Sequence, residues 1–229
     1  MPRSRTAPPA AGPSTTGRDR PGFVPEPVVL GGVSWDDYVR FGDEPANAGL
    51  RLTYDAPARR LELIMTTGER HEAVSNSLLI LVACYARVRR VRLRPVGATT
   101  WRRRGVGGAE GDNAFYVSRF DEVAGRDGNV PDLDGGAAPP DLVVEVDVTS
   151  PGVAKLPIYA RLGVREVWVW EDEILTAHRL DGDRYRTTDR SVELPGFPLA
   201  FAAELLTRRA DAATFELEEA LEARLRAAG

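Results

Sequence analysis

One cysteine, two histidines and, among 30 basic residues, a single lysine set the first limits on this chain. Cys84 alone excludes an internal disulfide, and its place in the apolar run from Leu78 marks it as a packing residue rather than a nucleophile. That run is the longest apolar stretch and falls far short of the roughly 20 residues needed to cross a bilayer. The N-terminus holds no continuous apolar segment of the secretory kind, so the expectation is a cytoplasmic protein with no membrane contact. Positive charge is not in excess either. The net charge is −4, and without the first 29 residues 26 basic groups face 32 acidic ones. A body of net −6 cannot coat DNA indiscriminately, because counterion release needs positive charge facing phosphate.

What is present is arginine, 29 residues of it against Lys155. Wherever charge and solubility suffice, this sequence uses guanidinium. A lysine kept at one site suggests chemistry that arginine does not supply, since an ammonium is a compact donor with a shiftable pKa. Local arginine clusters occur at Arg87, Arg89, Arg90, Arg92 and Arg94, and at Arg102, Arg103 and Arg104. They read either as a solvated helix end and strand edge or as a phosphate-binding rim.

Residues 1–29 are rich in Pro, Ala, Gly, Ser and Thr and have almost nothing to bury, so a disordered tail is expected there. One domain over 30–200 and a helical segment over 201–229 complete the organisation. Ser34 and Asp37 predict a capped helix from Trp35 to about Phe41. Leu50 to Tyr54 and Leu61 to Met65 predict a hairpin. The helical spacing of Val74, Leu78, Leu81, Val82 and Tyr85 predicts the main helix over about Arg70 to Arg89. One strand is expected over Val91 to Trp101, a flexible glycine-rich loop over Gly105 to Gly111, and strands at Ala114 to Val117 and Asp141 to Val148. Pro157 and Gly163 bracket a helix from about Ala154 to Leu162. Three further strands, Arg165 to Trp170, Ile174 to Leu180 and Tyr185 to Thr187, precede the C-terminal helices, the last two joined at Asp181-Gly182.

The strand after Pro139-Pro140 carries the chemistry. Side chains two apart share a strand face, so Asp141, Val143, Glu145 and Asp147 lie on one side and Leu142, Val144, Val146 and Val148 on the other. Glu145 and Asp147 are then only about 7 Å apart, and two such carboxylates repel unless solvent, a cation or a basic partner compensates. The pattern alone fits a metal site or a solvated strand edge. Lys155 at the start of the next helix lies near the end where these carboxylates emerge, and a helix start also attracts anions.

At this point the chain resembles a known family. Leu61-Glu62-Leu63-Ile64, His71-Glu72, Glu110-Gly111-Asp112, the segment Pro139-Pro140-Asp141-Leu142-Val143-Val144-Glu145-Val146-Asp147-Val148-Thr149-Ser150, and Lys155-Leu156-Pro157-Ile158-Tyr159-Ala160-Arg161-Leu162-Gly163-Val164 are similar to the restriction endonuclease family called Uma-two, of the PD-(D/E)xK nuclease superfamily. The similarity runs from about Ser34 to Trp170, and Pro139 to Val164 is its specific part.

The resemblance implies an α+β fold, a mixed sheet flanked by helices in the order helix, three strands, helix, strand from about Arg70, with an extra N-terminal hairpin. It implies a catalytic set of Asp112, Glu145 and Lys155, with Asp112 and Glu145 as metal ligands. Asp147 stands where the superfamily usually has its lysine, which has moved to position 155. Glu62, His71, Glu72, Asp141 and Asp147 are supporting positions around the metal. The family's Glu-Pro-Asp is here Glu-Gly-Asp, and glycine admits more backbone conformations than proline, which loosens the expected hold on Asp112. The implied activity is hydrolysis of nucleic-acid phosphodiester bonds, chiefly DNA, with Mg2+ or Mn2+ as cofactor. A homodimer is expected for cutting both strands. Two rival classes stay open: a catalytically inactive nuclease-fold binding or interaction module, and a structural protein with a merely solvated acidic strand. His178 lies outside the resembling segment and reads as structural, and Trp101, Trp168 and Trp170 read as packing residues.

Overall fold

The computed structural model describes residues 27–47, 50–64, 68–126, 131–146 and 154–228. Of the expected disordered tail over 1–29, residues 1–26 lie outside the described residues, as do Met65, Asp147 and Val148, while Val28 and Val29 belong instead to a strand.

Local chemistry sets the element boundaries. The first helix, α1 (Trp35–Asp43), opens where the Ser34 Oγ accepts the Asp37 N–H at 3.1 Å, which satisfies one of the helix's orphan donors. Strands β2 (Arg51–Asp55) and β3 (Arg60–Ile64) form the expected antiparallel hairpin, with β1 (Val28–Gly31) along the outer side of β3. Helix α2 (Glu69–Arg89) buries Val74, Leu78, Leu81, Val82 and Tyr85, the stripe its spacing predicts.

Two expectations are corrected here. The single strand over Val91 to Trp101 is two short ones, β4 (Arg94–Pro95) and β5 (Thr100–Arg103), which belong to different sheets. Pro95 has no N–H with which to extend a ladder, and Gly97 at φ 57° turns the chain between them. The glycine-rich loop is in part a strand, β6 (Gly107–Glu110), paired with β2 and β5. Its glycines serve close approach: a Cβ at position 108 would lie 2.1 Å from the Tyr38 hydroxyl, and one at 107, where φ is 130°, 2.1 Å from the Tyr54 carbonyl oxygen.

The remaining elements are β7 (Asn113–Tyr116), α3 (Phe120–Val123), β8 (Leu142–Val146), α4 (Leu156–Leu162), β9 (Glu166–Glu171), β10 (Ile174–Asp181), β11 (Arg184–Thr188), α5 (Leu199–Arg208) and α6 (Thr214–Ala227). Gly163, left-handed at φ 86°, closes α4 as expected.

The fold is mixed α+β, and its strands divide between two sheets. One has the order β1-β3-β2-β6-β5, the other β11-β10-β9-β8-β7-β4. The second contains α2, β4, β7, β8, α4 and β9 in chain order, which is helix, three strands, helix, strand. Strands β8 and β9 are parallel, joined through α4, and every other pairing is antiparallel. Strands β5 and β6, which interrupt this series, extend the N-terminal hairpin into the first sheet.

Alternation along β8 gives each face a layer. Leu142, Val144 and Val146 enter a core with Leu78, Leu81, Trp168, Leu205 and Leu221, roofed by α2, α5 and α6. Val143 enters a second core with Trp101, Ala109, Ile158, Tyr159 and Val167, between the two sheets and under α4. A third cluster, Tyr38, Leu52, Tyr54 and Leu61, seats α1 on the outer face of the first sheet. Each fully buried leucine or valine contributes roughly 1.5–3 kcal/mol relative to exposure. Trp101, Trp168 and Trp170 are all buried, as read from the sequence. No helix among the described residues is long and apolar enough to cross a membrane.

Candidate active site

Strand β8 is an interior strand, with β7 on one side and β9 on the other. The solvated-edge reading of its acids therefore fails at Glu145, which is 9% exposed and lies on the face toward α4 and the first sheet. Asp112, also 9% exposed, comes from the turn before β7. Its backbone N–H donates to the Val144 carbonyl at 3.0 Å, and its Oδ2 accepts the Val146 N–H at 2.6 Å. These bonds hold the residue against β8 from both ends and offset the backbone freedom expected from Gly111. Space is short at that glycine: a Cβ there would lie 2.5 Å from Val143 Cγ1.

Helix α2 delivers the histidine. Asn113 donates to the Ser75 carbonyl at 3.0 Å and to its hydroxyl at 2.7 Å, tying β7 to the first turns of α2. Ser75 is four residues after His71 and shares its helix face. His71 Nε2 accordingly reaches Asp112 Oδ1 at 3.2 Å, and its Nδ1 faces Glu72 at 3.4 Å.

Helix α4 delivers the amine. The Lys155 carbonyl accepts the first helical N–H groups, from Ile158 and Tyr159, both at 2.9 Å. Its Nζ donates to Glu145 Oε2 at 2.8 Å and to the Glu110 carbonyl at 3.3 Å. Tyr159, one turn on, donates its hydroxyl to the other Glu145 oxygen. The structure thus brings Asp112, Glu145, Lys155 and His71 to one place, between the sheets at the C-terminal end of β8.

Three neighbours were not singled out from the sequence. Tyr159 could have been, because it lies four residues from Lys155 on one helix face. Glu110 stood inside a quoted motif, yet its side chain and carbonyl were not weighed. Arg51 left no signal, being one arginine among 29 whose contact is 61 positions away. Its Nη1 donates to Asp112 Oδ1 at 2.5 Å, its Nη2 to the Glu110 carbonyl at 3.3 Å, and its Nε faces Glu110 Oε1 at 3.3 Å.

One of the supporting positions sits elsewhere. Asp141 is at the opposite end of β8 from Glu145, where its Oδ2 accepts the N–H groups of Val117 and Arg119, both at 2.8 Å, and Arg119 and Arg165 flank its Oδ1. It fastens a loop. Glu62 is buried on β3, paired in register with Thr53 and on the sheet face that Arg51 shares. Four of the eight clustered arginines pair with acids, Arg87 with Glu222, Arg92 with Asp121, Arg102 with Asp43 and Arg104 with Asp36, and Arg89 and Arg94 donate to backbone carbonyls.

Electrostatics separates the two acids. Burial by itself would raise the Asp112 carboxyl, but the His71 hydrogen bond and the charges of Arg51 and Lys155 hold it well below the usual carboxylate range. Burial pushes the Glu145 carboxyl up, Lys155 opposes this, and the Asp112 charge adds to it. Desolvation disfavours the Lys155 ammonium, yet Glu145 and Asp112 outweigh it and raise its pKa, so the amine stays protonated. His71 is raised in the same way, burial being overcome by Asp112.

The donor chemistry fits a small hard cation. Asp112 and Glu145 offer oxygens, and Mg2+ is commonly held by one or two carboxylates with water and phosphate oxygens completing its shell. Three carboxylates, Asp112, Glu145 and Glu110, here face the cations Arg51 and Lys155, with His71 beside Asp112. Among the described residues no group of three or more His, Cys, Asp or Glu side chains is arranged to hold a metal.

An acid from the turn before β7, an acid on β8 and the lysine at the opening of α4 thus meet at the end of the parallel pair β8 and β9. The chain belongs to the Uma2 family, described as "Putative restriction endonuclease", whose profile matches residues 35–206. One similar solved structure is described as "a putative nuclease belonging to DUF820 from Anabaena variabilis ATCC 29413". It shares 13% identity, with 82% of this chain and 99% of that one covered and a TM-score of 0.47. No curated protein matches.

Proposed function

We propose that this protein is a divalent-metal-dependent endonuclease that hydrolyses phosphodiester bonds in DNA. The observation that carries the reading is the meeting of Lys155 with Glu145 at 2.8 Å, beside Asp112, from three separate segments of the chain. Family membership supports the reaction class. Asp112 and Glu145 are the residues to hold the cation, Mg2+ by oxygen preference with Mn2+ as substitute. When bound, the ion supplies a water of lowered pKa and neutralises charge at the phosphoryl oxygens.

The protein's own groups then have defined tasks. Lys155 carries its positive charge next to the ligand acids, where it stabilises the negative charge that builds on phosphate in the transition state. Tyr159 fixes the Glu145 carboxylate by its hydroxyl, and His71 with the Val146 N–H fixes Asp112, so neither acid must reorganise as substrate arrives. Burial strengthens each of these interactions. A second copy of the chain is the partner we assign for cutting both strands, and a cytoplasmic location the one where it would meet DNA.

The test is a cleavage assay on single-stranded, duplex and branched DNA with Mg2+, Mn2+ or chelator. Metal-dependent cleavage abolished in Glu145→Gln and Lys155→Met is the expected result. Binding without cleavage under every condition would instead identify a nuclease fold that serves as an interaction module.

A further inference from the structure

All four carboxylate oxygens of Asp112 and Glu145 already have a donor. Asp112 Oδ1 takes Arg51 and His71, and Oδ2 takes the Val146 N–H. Glu145 Oε1 takes Tyr159, and Oε2 takes Lys155. Each carboxylate oxygen has two lone pairs, so a divalent ion finds room beside the single donors on the other three oxygens but must replace a donor at Asp112 Oδ1; two of the five donors, Arg51 and Lys155, carry full positive charge. Of those two cations, Arg51 is the one seated on the fully occupied Oδ1. Its Nη1 holds Oδ1 at 2.5 Å, its Nη2 reaches the Glu110 carbonyl at 3.3 Å, and its Nε faces Glu110 Oε1 at 3.3 Å. It reaches across from β2 of the other sheet, whereas Lys155 sits at the opening of α4 with a short bond to Glu145.

We infer that Arg51 is a resident counter-ion on Asp112 that a divalent cation must displace, so that this arginine sets how tightly the site takes metal. The inference rests on the nuclease reading of Asp112 and Glu145 and adds to it an assignment for a residue outside the implied catalytic set. The logic is charge balance. Two buried carboxylates need cations nearby, the folded protein supplies its own, and a second positive ion at the same oxygen is repelled by the first. Once freed, the guanidinium has a suitable new partner in the phosphodiester, which matches its planar fork in two-point contact.

The test is isothermal titration of the full chain with Mn2+ alone, without DNA, comparing wild type with Arg51→Gln, Arg51→Lys and Asp112→Asn. Thermal melting in chelator and in Mn2+ is followed alongside. Arg51→Gln is expected to bind Mn2+ at least tenfold more tightly than wild type and to melt lower in chelator, with the difference closing when Mn2+ is added. Arg51→Lys, which keeps the charge but not the fork, is expected in between. If Arg51→Gln is too unstable to titrate in chelator, recovery of its fold by Mn2+ counts in favour, and failure to recover counts against. Equal or weaker Mn2+ binding in Arg51→Gln, where wild type binds and Asp112→Asn does not, overturns the counter-ion role and leaves the nuclease reading standing. Absence of Mn2+ binding in both wild type and Arg51→Gln overturns the role together with the metal site beneath it.

Discussion

Replacing Lys155 by methionine keeps the length of the side chain and deletes the charge, which isolates one term in the buried network. The side chains of Lys155 and Glu145 are 16% and 11% exposed, and the Nζ to Oε2 distance is 2.8 Å. Removing one member of a buried ion pair leaves its partner uncompensated and costs about 3–5 kcal/mol. At about 2–4 °C per kcal/mol for a domain of this size, the melting temperature in chelator at pH 8 should fall by roughly 6–20 °C. The sign of the pH dependence is fixed by Glu145. Its folded carboxyl is already pushed above 4.5, and loss of Lys155 removes an interaction that lowers it. A group whose pKa is raised on folding favours the fold where it is protonated, so the deficit of Lys155→Met should shrink as pH falls from 8 toward 5. Changing Glu145 to Gln in the same chain should recover most of the loss, because no buried charge then lacks a partner. Calorimetry across that pH range on the wild type, both single variants and the double variant gives the coupling energy directly. A loss under 1 kcal/mol for Lys155→Met, or a double variant no more stable than the single one, would refute the electrostatic account.

Tyr159→Phe removes the hydroxyl that binds Glu145 and should cost about 1–3 kcal/mol in urea unfolding, since the carboxylate oxygen is left buried without its donor. An unchanged midpoint would remove Tyr159 from the site. Gly111→Ala places a Cβ 2.5 Å from Val143 Cγ1 and should destabilise by about 1–3 kcal/mol. Val143→Ala in the same chain should relieve that strain, and equal losses with and without it would show that space is not the cause. Burial lowers the His178 pKa, so its neutral form favours the fold. It therefore contributes stability above pH 6.5 that is lost as pH falls through the folded value, and His178→Gln should flatten the melting temperature between pH 7 and 5. Parallel pH curves for the two proteins would contradict this.

Local rules carried the sequence reading furthest where one residue decides an outcome. Ser34 capping α1, Gly163 closing α4 and the stripe of α2 all act within a few positions, so their signals survive without tertiary information. The division into two sheets was not legible, because it depends on where Pro95 and Gly97 break one apolar run and on glycines that admit Tyr38 and Tyr54. Those are contacts between distant segments. In the site, Lys155 stood out by its rarity and Glu145 by its place in an otherwise apolar strand. Tyr159 was within reach through its spacing from Lys155. Arg51 was not, since one arginine in a chain that uses arginine for every surface duty announces nothing until the fold sets it against Asp112.

Single-turnover cleavage of duplex DNA in Mg2+, with wild type, Asp112→Asn, Glu145→Gln and Lys155→Met each verified as folded, tests the central claim most directly. The convergence of these three side chains predicts a rate in wild type that falls by about 100-fold or more in each variant, the scale seen when one stabilising donor at developing charge is removed. Cleavage that survives in folded Glu145→Gln and Lys155→Met, or that proceeds equally in chelator, would contradict it.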